Sequence, residues 1–319
     1  MVIKYIFCGV LTLLFACILS PIILSICKKM HAEQTILHYV DKHAQKSGTP
    51  TMGGMIFLLS LLFSCIFLQN NDNFVAFFAV IVTFGYGILG FLDDFIKVKL
   101  HHNEGLKPYQ KVIGQVGIAI AVAIFLFTTE RTSIQFFSYS VDVGLWIIPL
   151  AIFVLVATTN SVNLTDGLDG LAGGVNFVVC LFLGIVLALT GDFENQNLAI
   201  LCFGLCGAIL SFLMINCFPA KIFMGDTGSL SLGGFVGVVA LLGEIEFYIP
   251  LVGIMFVLSA ISDIIQVFWF KRTGRRIFLM APLHHHFEKR GVHENRIVVV
   301  YIVVTVAVSL VTLAGVLLL

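Results

Sequence analysis

The chain has 319 residues, of which 59% are hydrophobic and only 11% are charged, and its mean hydropathy is +1.05. Soluble domains carry about 25% charged residues, so this composition excludes an ordinary soluble domain and predicts a polytopic membrane protein. The formal net charge of zero says little, because it averages lipid-facing helices with charged loops, and the positions of the charges matter more than their sum. No nucleic-acid partner is expected.

Ten apolar runs follow one another along the chain, most of them close to the roughly 20 residues that a helix needs to cross a bilayer. The first, Tyr5 to Cys27, ends in two lysines and is predicted to be a retained helix that starts outside. The second and eighth are short, and the ninth is long, so we expect it to be tilted or bent. The later runs are 53–69, 74–92, 112–128, 144–160, 171–190, 198–215, 229–243, 247–270 and 297–318.

The segment between the fourth and fifth runs is polar enough to lie outside the bilayer. Residues Thr132 to Val143 alternate between polar and apolar side chains, which predicts a small exterior β-hairpin. The rest of the fold is expected to be all-α, in a single integral-membrane domain that covers residues 1–319.

The distribution of Lys and Arg predicts which loops face the cytoplasm, because positive charge is retained on that side. With ten spans and an outside start, the inner loops hold 16 of the 18 basic residues, and only Lys4 and Arg131 lie outside. Both termini are then outside, and a polar cleft is expected at the cytoplasmic face. The inner loops are 28–52, 93–111, 161–170, 216–228 and 271–296.

The most polar stretch between two spans is residues 160–170, Asn-Ser-Val-Asn-Leu-Thr-Asp-Gly-Leu-Asp-Gly. Unpartnered polar groups in hydrocarbon cost several kcal/mol each, so this stretch must lie at a membrane face or in a wet cavity. Two interpretations are open: Asn163 or Asp166 caps the next helix, or both join a site with the other inner loops.

Loop 93–111 opens with the adjacent carboxylates of Asp93 and Asp94, followed by Lys97 and later Lys111. Two acids at a helix end repel each other and meet the negative end of the helix dipole, so fold stability does not explain them. A bound cation, or a proton to be removed, explains them better. The alternative is a simple ion pair between Asp93 and Lys97, which are four residues apart.

Upstream, Gly85-Tyr86-Gly87-Ile88-Leu89-Gly90 matches a dinucleotide-binding pattern, but it follows no strand and lies inside an apolar span. We interpret these glycines as a place of close helix packing.

Asp226 precedes Thr227-Gly228-Ser229 at the start of the eighth span. It is either a helix N-cap or a carboxylate beside free helix amides, a suitable place to hold Mg²⁺ against a phosphate.

The last inner loop carries a basic cluster and then His284, His285 and His286. Three consecutive histidines cannot all face one way, so we expect one or two imidazoles to face phosphate or sugar rather than a three-His metal site. Asp263 lies within the ninth span and needs a partner, and Gln266, three residues on, can face the same cytoplasmic cavity.

Taken together, the inner loops combine carboxylates, amides and lysines, which suit Mg²⁺ and phosphate oxygens. Phosphoryl transfer involving a membrane-held phosphate is the reaction that this combination favours.

Five motifs, in order, resemble the phospho-N-acetylmuramoyl-pentapeptide transferases of the polyprenyl-phosphate N-acetylhexosamine 1-phosphate transferase superfamily. The resemblance covers almost the whole chain. One departure is that relatives carry a glutamate near Ser259, whereas here the acid is Asp263. The motifs are Gly48-Thr49-Pro50-Thr51-Met52-Gly53-Gly54, Asp93-Asp94-Phe95-Ile96-Lys97, Asn163-Leu164-Thr165-Asp166-Gly167-Leu168-Asp169-Gly170, Phe223-Met224-Gly225-Asp226 and Ala281-Pro282-Leu283-His284-His285-His286.

The resemblance implies transfer of phospho-N-acetylmuramoyl-pentapeptide from UDP-MurNAc-pentapeptide to undecaprenyl phosphate, giving lipid I and UMP at the bacterial plasma membrane. It implies that Asp226 holds Mg²⁺ with Asn163 as a second ligand, that Asp93 and Asp94 activate the lipid phosphate, and that His284 contacts phosphates or sugar. Lys97 and Lys111 would steady phosphates. Nucleotide or sugar would be bound by Lys46, Thr51, Asp166, Asp169, Asn216, Phe223, Gln266 and His285.

Direct attack by the lipid phosphate is our hypothesis, with a covalent phosphosugar on an aspartate as the alternative. A homodimer is compatible with such a bundle. Two rival functions are a UDP-N-acetylglucosamine 1-phosphate transferase and an anion transporter. Transporters usually place their site at mid-membrane and show internal repeats, whereas here the charges gather at one face.

Overall fold

The computed structural model of the chain describes residues 2–30, 48–67, 74–100, 105–189 and 193–318. Within these ranges nine helices are long and apolar enough to cross a membrane, and α2 is a shorter apolar helix, which confirms the all-α polytopic fold. The helices are α1 (Val2–Lys29), α2 (Met55–Phe67), α3 (Phe74–Leu100), α4 (Pro108–Thr128), α5 (Ile147–Thr165), α6 (Leu171–Leu189), α7 (Phe193–Asn216), α8 (Gly225–Leu242), α9 (Ile249–Val252), α10 (Ile254–Thr273), α11 (Leu283–Lys289) and α12 (Glu294–Leu318).

The predicted hairpin is present as two antiparallel strands, β1 (Ser133–Phe136) and β2 (Tyr139–Asp142). Ser133 pairs with Asp142 and Phe136 pairs with Tyr139. The hairpin lies at the end of the bundle where α4 ends and α5 begins. Its exterior location stays a prediction.

Several predicted loop boundaries were wrong, because the helices continue past the ends of the apolar runs. Helix α3 extends to Leu100, α4 begins at Pro108 and α5 extends to Thr165. Asp93, Asp94 and Lys97 therefore lie on α3, Lys111 in the first turn of α4, and Asn163 in the last turn of α5, rather than in loops. A span predicted from hydropathy stops at the first charged residue. The helix itself can continue past that residue when the charged side chain has a partner on a neighbouring helix.

Two further differences concern the last third of the chain. The long ninth run was expected to be tilted or bent, and it is interrupted: a short 3-10 turn (Glu246–Tyr248) leads into α9, and Gly253 separates α9 from α10. The triple histidine was predicted in a loop but lies on the short helix α11.

Helix α8 lies at the centre of the bundle, and 89% of its residues are buried. It packs between α3 and α5 through small residues. A Cβ on Gly90 of α3 would lie 2.1 Å from the carbonyl oxygen of Asp226, and a Cβ on Gly233 of α8 would lie 2.5 Å from Cα of Thr159. The interpretation of the Gly85–Gly90 pattern as close helix packing agrees with these contacts. This packing sets the first turn of α8 against the polar ends of α3 and α5.

Candidate active site

The centre of the candidate site is a cluster of two carboxylates and two ammonium groups from three helices. Lys97 Nζ lies 2.6 Å from Asp93 Oδ2 and 3.3 Å from Asp226 Oδ2. Lys111 Nζ lies 3.0 Å from Asp93 Oδ2 and also contacts Asp226 Oδ2. The ion pair between Asp93 and Lys97 is therefore present, but it is one part of a larger cluster that also includes α4 and α8. The second oxygen of Asp93 accepts a hydrogen bond from Leu106 N at 2.8 Å.

Asp94 caps the N-terminus of α8. Its Oδ1 accepts a hydrogen bond from Asp226 N at 3.1 Å. Its Oδ2 accepts hydrogen bonds from Thr227 N at 2.9 Å and from Thr227 Oγ1 at 2.7 Å. A negative charge is favourable at a helix N-terminus, where the first N–H groups have no partner within the helix. This contact explains why two adjacent acids are tolerated on α3, and it shows that Asp226 is not itself the cap.

Asn163 brings α5 into the same cluster. Its amide nitrogen donates to Asp226 Oδ1 at 2.9 Å and to Ser229 Oγ at 2.8 Å. Rotation of the amide by half a turn would present its oxygen to a cation instead.

The donor set fits a hard divalent cation. Carboxylate oxygens of Asp93, Asp94 and Asp226 lie within 4.8 Å of one another. In formal charges, three carboxylates face the two ammonium groups of Lys97 and Lys111, which leaves one negative charge in excess. Carboxylate and amide oxygens are the ligands that Mg²⁺ takes in proteins, usually one or two carboxylates together with substrate phosphates. Asp93, Asp94 and Asp226 could hold such a cation, and the assignment of Asp226 and Asn163 as the Mg²⁺ ligands stays a prediction.

The segment before α2 forms one wall of the site by pairing with the segment before α8. Phe223 N donates to Pro50 O at 2.8 Å, and Gly53 N donates to Phe223 O at 2.9 Å. Thr51 is 4% exposed, and among the described residues its hydroxyl has no hydrogen-bond partner. A Cβ on Gly225, which has φ +73°, would lie 2.7 Å from that hydroxyl. Thr51 therefore offers a buried hydroxyl to a ligand beside the carboxylates.

Phe223 and Lys46 are also predicted to bind nucleotide or sugar. Phe223 is half-buried, and its ring orientation toward a base stays a prediction. Lys46 lies outside the described residues.

The histidine helix α11 lies against the turn after α5. A Cβ on Gly167 would lie 2.2 Å from Nε2 of His284 and 2.9 Å from Nε2 of His285. His284 is fully buried, and its two ring nitrogens have no hydrogen-bond partner within the described part of the chain. Burial, followed by the neighbouring His285, holds the pKa of His284 well below 6.5. His284 is therefore neutral and can donate one hydrogen bond and accept another.

His285 has a partner that sequence analysis missed. Its Nδ1 lies 3.0 Å from Glu288 Oε2, one turn along α11. The spacing of three residues on a helix could have indicated this pair. The contact fixes the imidazole so that its other nitrogen faces Gly167.

Asp169 and Asn216 hold loops together in this structure. Asp169 Oδ2 accepts Ala220 N at 3.0 Å, and Asp169 N donates to Glu294 Oε1 at 2.6 Å. Asn216 is 4% exposed, accepts Gly170 N at 3.0 Å and donates to Ile222 O at 2.9 Å. These contacts join the turn after α5 to the segment before α8. Substrate binding by either side chain stays a prediction.

Gln266 on α10 likewise holds a loop. Its Oε1 accepts Ile277 N at 3.1 Å and Phe278 N at 3.0 Å, and its Nε2 donates to Phe278 O at 3.1 Å. Both amide atoms thus bind the backbone that leads into α11. We interpret Gln266 as a positioning residue for the histidines, and its predicted contact with substrate stays a prediction.

Replacing Gln266 with Leu removes three hydrogen bonds, each worth about 1 kcal/mol. We expect amide hydrogen exchange at residues 277–286 to become about tenfold faster or more, with little change in α3 and α8. Exchange measured by mass spectrometry tests this, with Asn295→Leu at an exposed position as the control. Unchanged exchange at 277–286 in the Gln266 variant would show that the amide does not hold the loop.

The structure brings most predicted site residues to one end of the bundle, where α3, α5 and α10 end and α4 and α8 begin. Asp263 lies half-buried on α10, and no described contact gives it a partner. Sequence analysis missed Thr227, Ser229, Glu288 and Glu294, which support the predicted residues. Apart from Glu288, these contacts join distant segments, so no local pattern indicates them.

Comparison with known proteins gives two results. Residues 75–244 match the family model described as glycosyl transferase family 4. The chain is also similar over nearly its full length to proteins named phospho-N-acetylmuramoyl-pentapeptide-transferase from three bacteria.

The identities are substantial for each relative. The protein of Clostridium perfringens strain SM101 is 42% identical over 315 residues, which cover 98% of this chain and 97% of that one. The Acetivibrio thermocellus protein is 40% identical over 95% of this chain and 92% of its own length. The Clostridioides difficile protein is 38% identical over 97% and 96%, respectively.

Proposed function

The chain belongs to the phospho-N-acetylmuramoyl-pentapeptide transferase family, and on that premise we propose its reaction and the role of each side chain at the site. The protein transfers phospho-N-acetylmuramoyl-pentapeptide from its UDP form to a polyprenyl phosphate, giving lipid I and UMP. The observation that carries the proposal is the cluster of Asp93, Asp226, Lys97 and Lys111 in a chain that is 42% identical to a named transferase.

The chemistry requires that like charges approach one another. A phosphate must attack a diphosphate, and two unit charges about 4 Å apart repel by about 4 kcal/mol at an effective dielectric of 20. Lys97 and Lys111 lie side by side between two carboxylates and can shift toward phosphate oxygens as these enter. Mg²⁺, held by Asp226 and Asn163, would withdraw charge from the diphosphate of the donor.

The remaining residues position the catalytic groups or bind the substrates. Asp94 fixes the first turn of α8 and thereby the carboxylate of Asp226, and direct activation of the lipid phosphate by Asp94 stays a prediction. Asp93 is the remaining candidate to accept a proton from the lipid phosphate. Neutral His284 would bind an oxygen of the phosphate or sugar. Thr51 and Phe223 would contact the nucleotide, with the Phe223 ring stacking on uracil.

We propose undecaprenyl phosphate as the acceptor and direct attack by its phosphate as the mechanism. The site lies at the end of the bundle that carries Lys97, Lys111 and the basic residues after α10, which supports a cytoplasmic orientation in the bacterial inner membrane.

We further propose that residues 1–319 form one transferase domain, because the buried core is continuous from α1 to α12. Association of two such domains is a separate proposal, which cross-linking in membranes tests.

The test of the proposed function uses the purified protein in vesicles with undecaprenyl phosphate. UMP release is followed with UDP-MurNAc-pentapeptide or UDP-N-acetylglucosamine as donor, each with Mg²⁺ or with a chelator. We expect release only with the muramoyl donor and only with Mg²⁺. Release from UDP-N-acetylglucosamine alone would favour the related transferase, and no release from either donor would contradict the proposal.

A pH dependence of stability follows from Asp166, which lies just beyond α5. Burial, followed by the carboxylates of Asp226, Asp94 and Asp169, raises its pKa from 3.8 to about 8. Between these values the folded state keeps a proton that the unfolded chain releases, so stability falls as the pH rises through this interval. The slope is at most about 1.4 kcal/mol per pH unit.

We therefore expect the melting temperature of the wild type to fall between pH 5.5 and pH 8.5 by several degrees more than that of Asp166→Asn. Thermal unfolding of both proteins in the same detergent checks this. Parallel curves for the two proteins would contradict the assignment to Asp166.

A further inference from the structure

The β-hairpin has one apolar and one polar face. Ile134 pairs with Val141 and Phe136 pairs with Tyr139, and directly paired residues of an antiparallel ladder point to the same face. These four side chains therefore share one face, and the residues between them share the other. The polar face consists of Ser133, Gln135, Ser140 and Asp142.

Strand β1 is the edge that joins the bundle. Gln135 N donates to Glu244 O at 2.8 Å, just past the end of α8. The Phe136 ring lies 4.3 Å from that of Phe247. In the turn between the strands, Phe137 reaches α12, because a Cβ on Gly315 would lie 2.5 Å from its ring. Since the bundle lies on the free side of β1, strand β2 forms the outer rim.

The rim is exposed and apolar. Tyr139 is 75% exposed and Val141 59%, although both lie on the apolar face. The chain then turns directly into the span that begins at Gly144, where Leu145 is 66% and Trp146 76% exposed. We refer to Tyr139, Val141, Leu145 and Trp146 as the rim patch.

The position of the rim patch indicates what covers it. The patch is continuous with the start of a helix that is long and apolar enough to cross a membrane, so it lies level with the bilayer surface. Tyr and Trp combine an apolar ring with a polar group and are enriched at that level. The neighbouring Asp142 is exposed and accepts hydrogen bonds from Thr132 Oγ1 at 2.6 Å and Gly144 N at 2.9 Å. A charged group held there keeps the strand at the headgroups and out of the hydrocarbon.

We propose that the rim patch is a lipid-binding surface that inserts into the headgroup region of the leaflet at that end of the bundle. It holds β2 against the membrane, while β1 is fixed to α8 and α12. The partner is the bilayer interface, and a second copy of the chain is the competing occupant. The proposal is independent of the transferase reaction, because it concerns the opposite end of the bundle.

The chain contains only two tryptophans, which makes a direct test feasible. In Trp269→Phe, Trp146 is the sole indole. This variant is reconstituted in phosphatidylcholine–phosphatidylglycerol vesicles, with lipids brominated either near the headgroup or deep in the acyl chain, and with aqueous iodide as a third quencher. Trp146→Phe, which reports Trp269 on α10, serves as the matched control for reconstitution.

We expect Trp146 fluorescence to be quenched about twofold by the shallow bromolipid, less by the deep one and weakly by iodide. Replacing Tyr139 and Val141 with Ser should increase iodide quenching of Trp146. Strong quenching by iodide without quenching by either lipid would overturn the proposal. So would protection from all three quenchers, which would indicate a second copy on the patch.

Discussion

Replacing Asp226 with Asn is expected to lower kcat by about 10²- to 10³-fold, the loss that follows removal of one preorganised electrostatic group from a site of this kind. Asp226 is the point at which Lys97, Lys111 and Asn163 meet. An asparagine would keep the volume but would leave two ammonium groups with one carboxylate fewer. The substitution would also remove the ligand proposed for Mg²⁺.

UMP release in vesicles measures this loss, and a thermal unfolding curve shows whether the variant is folded. Asp142→Asn on the hairpin is the matched control, because it makes the same chemical change at an exposed position far from the cluster. Activity within about threefold of wild type in a folded Asp226 variant would contradict the role assigned here.

Replacing Asp94 with Asn is expected to reduce both stability and activity. Asp94 accepts three hydrogen bonds, two from backbone N–H groups and one from a hydroxyl. An asparagine has one acceptor oxygen, and its NH₂ group would face a donor at the start of α8. Each unsatisfied buried group costs about 1–3 kcal/mol, so we expect a loss of about 2–4 kcal/mol. Displacement of the Asp226 carboxylate should lower kcat by about 10²-fold.

Thr227→Val provides a graded comparison, because it removes only the hydroxyl bond and should cost about 1 kcal/mol. Chemical denaturation and UMP release are measured for both variants. If Asp94 acts as a helix cap, stability and kcat should fall together, and both should fall more in Asp94→Asn than in Thr227→Val. A large loss of kcat at unchanged stability would instead place Asp94 in direct contact with substrate.

The membrane spans could be predicted because a helix that crosses a bilayer needs about 20 mostly apolar residues, and such runs are visible in the sequence. The ends of these helices could not be predicted, because they depend on contacts with other helices. Helix α3 continues through Asp93 and Lys97 since these side chains meet Lys111 and Asp226 on other helices. The four-residue spacing of Asp93 and Lys97 is compatible with a helix, but the α3 sequence alone does not show the partners on other helices that stabilise it.

The chemistry of the site could be predicted from residue types, whereas the role of each residue needed the fold. The pair Asp93–Lys97 follows from helical spacing. The cap formed by Asp94 does not, because it joins residues that are 133 positions apart. Likewise, the sequence of α10 does not show that the Gln266 amide bonds to the backbone of residues 277 and 278.

We propose that side chains from α3, α5 and α8 form one cation site, and a binding titration with Mn²⁺ as a substitute for Mg²⁺ tests this proposal. Free Mn²⁺ is followed by electron paramagnetic resonance in titrations of wild type, Asp226→Asn and Asp142→Asn. We expect one site in the wild type and in the hairpin variant, and at least about tenfold weaker binding in Asp226→Asn. Equal affinity in all three proteins would contradict it.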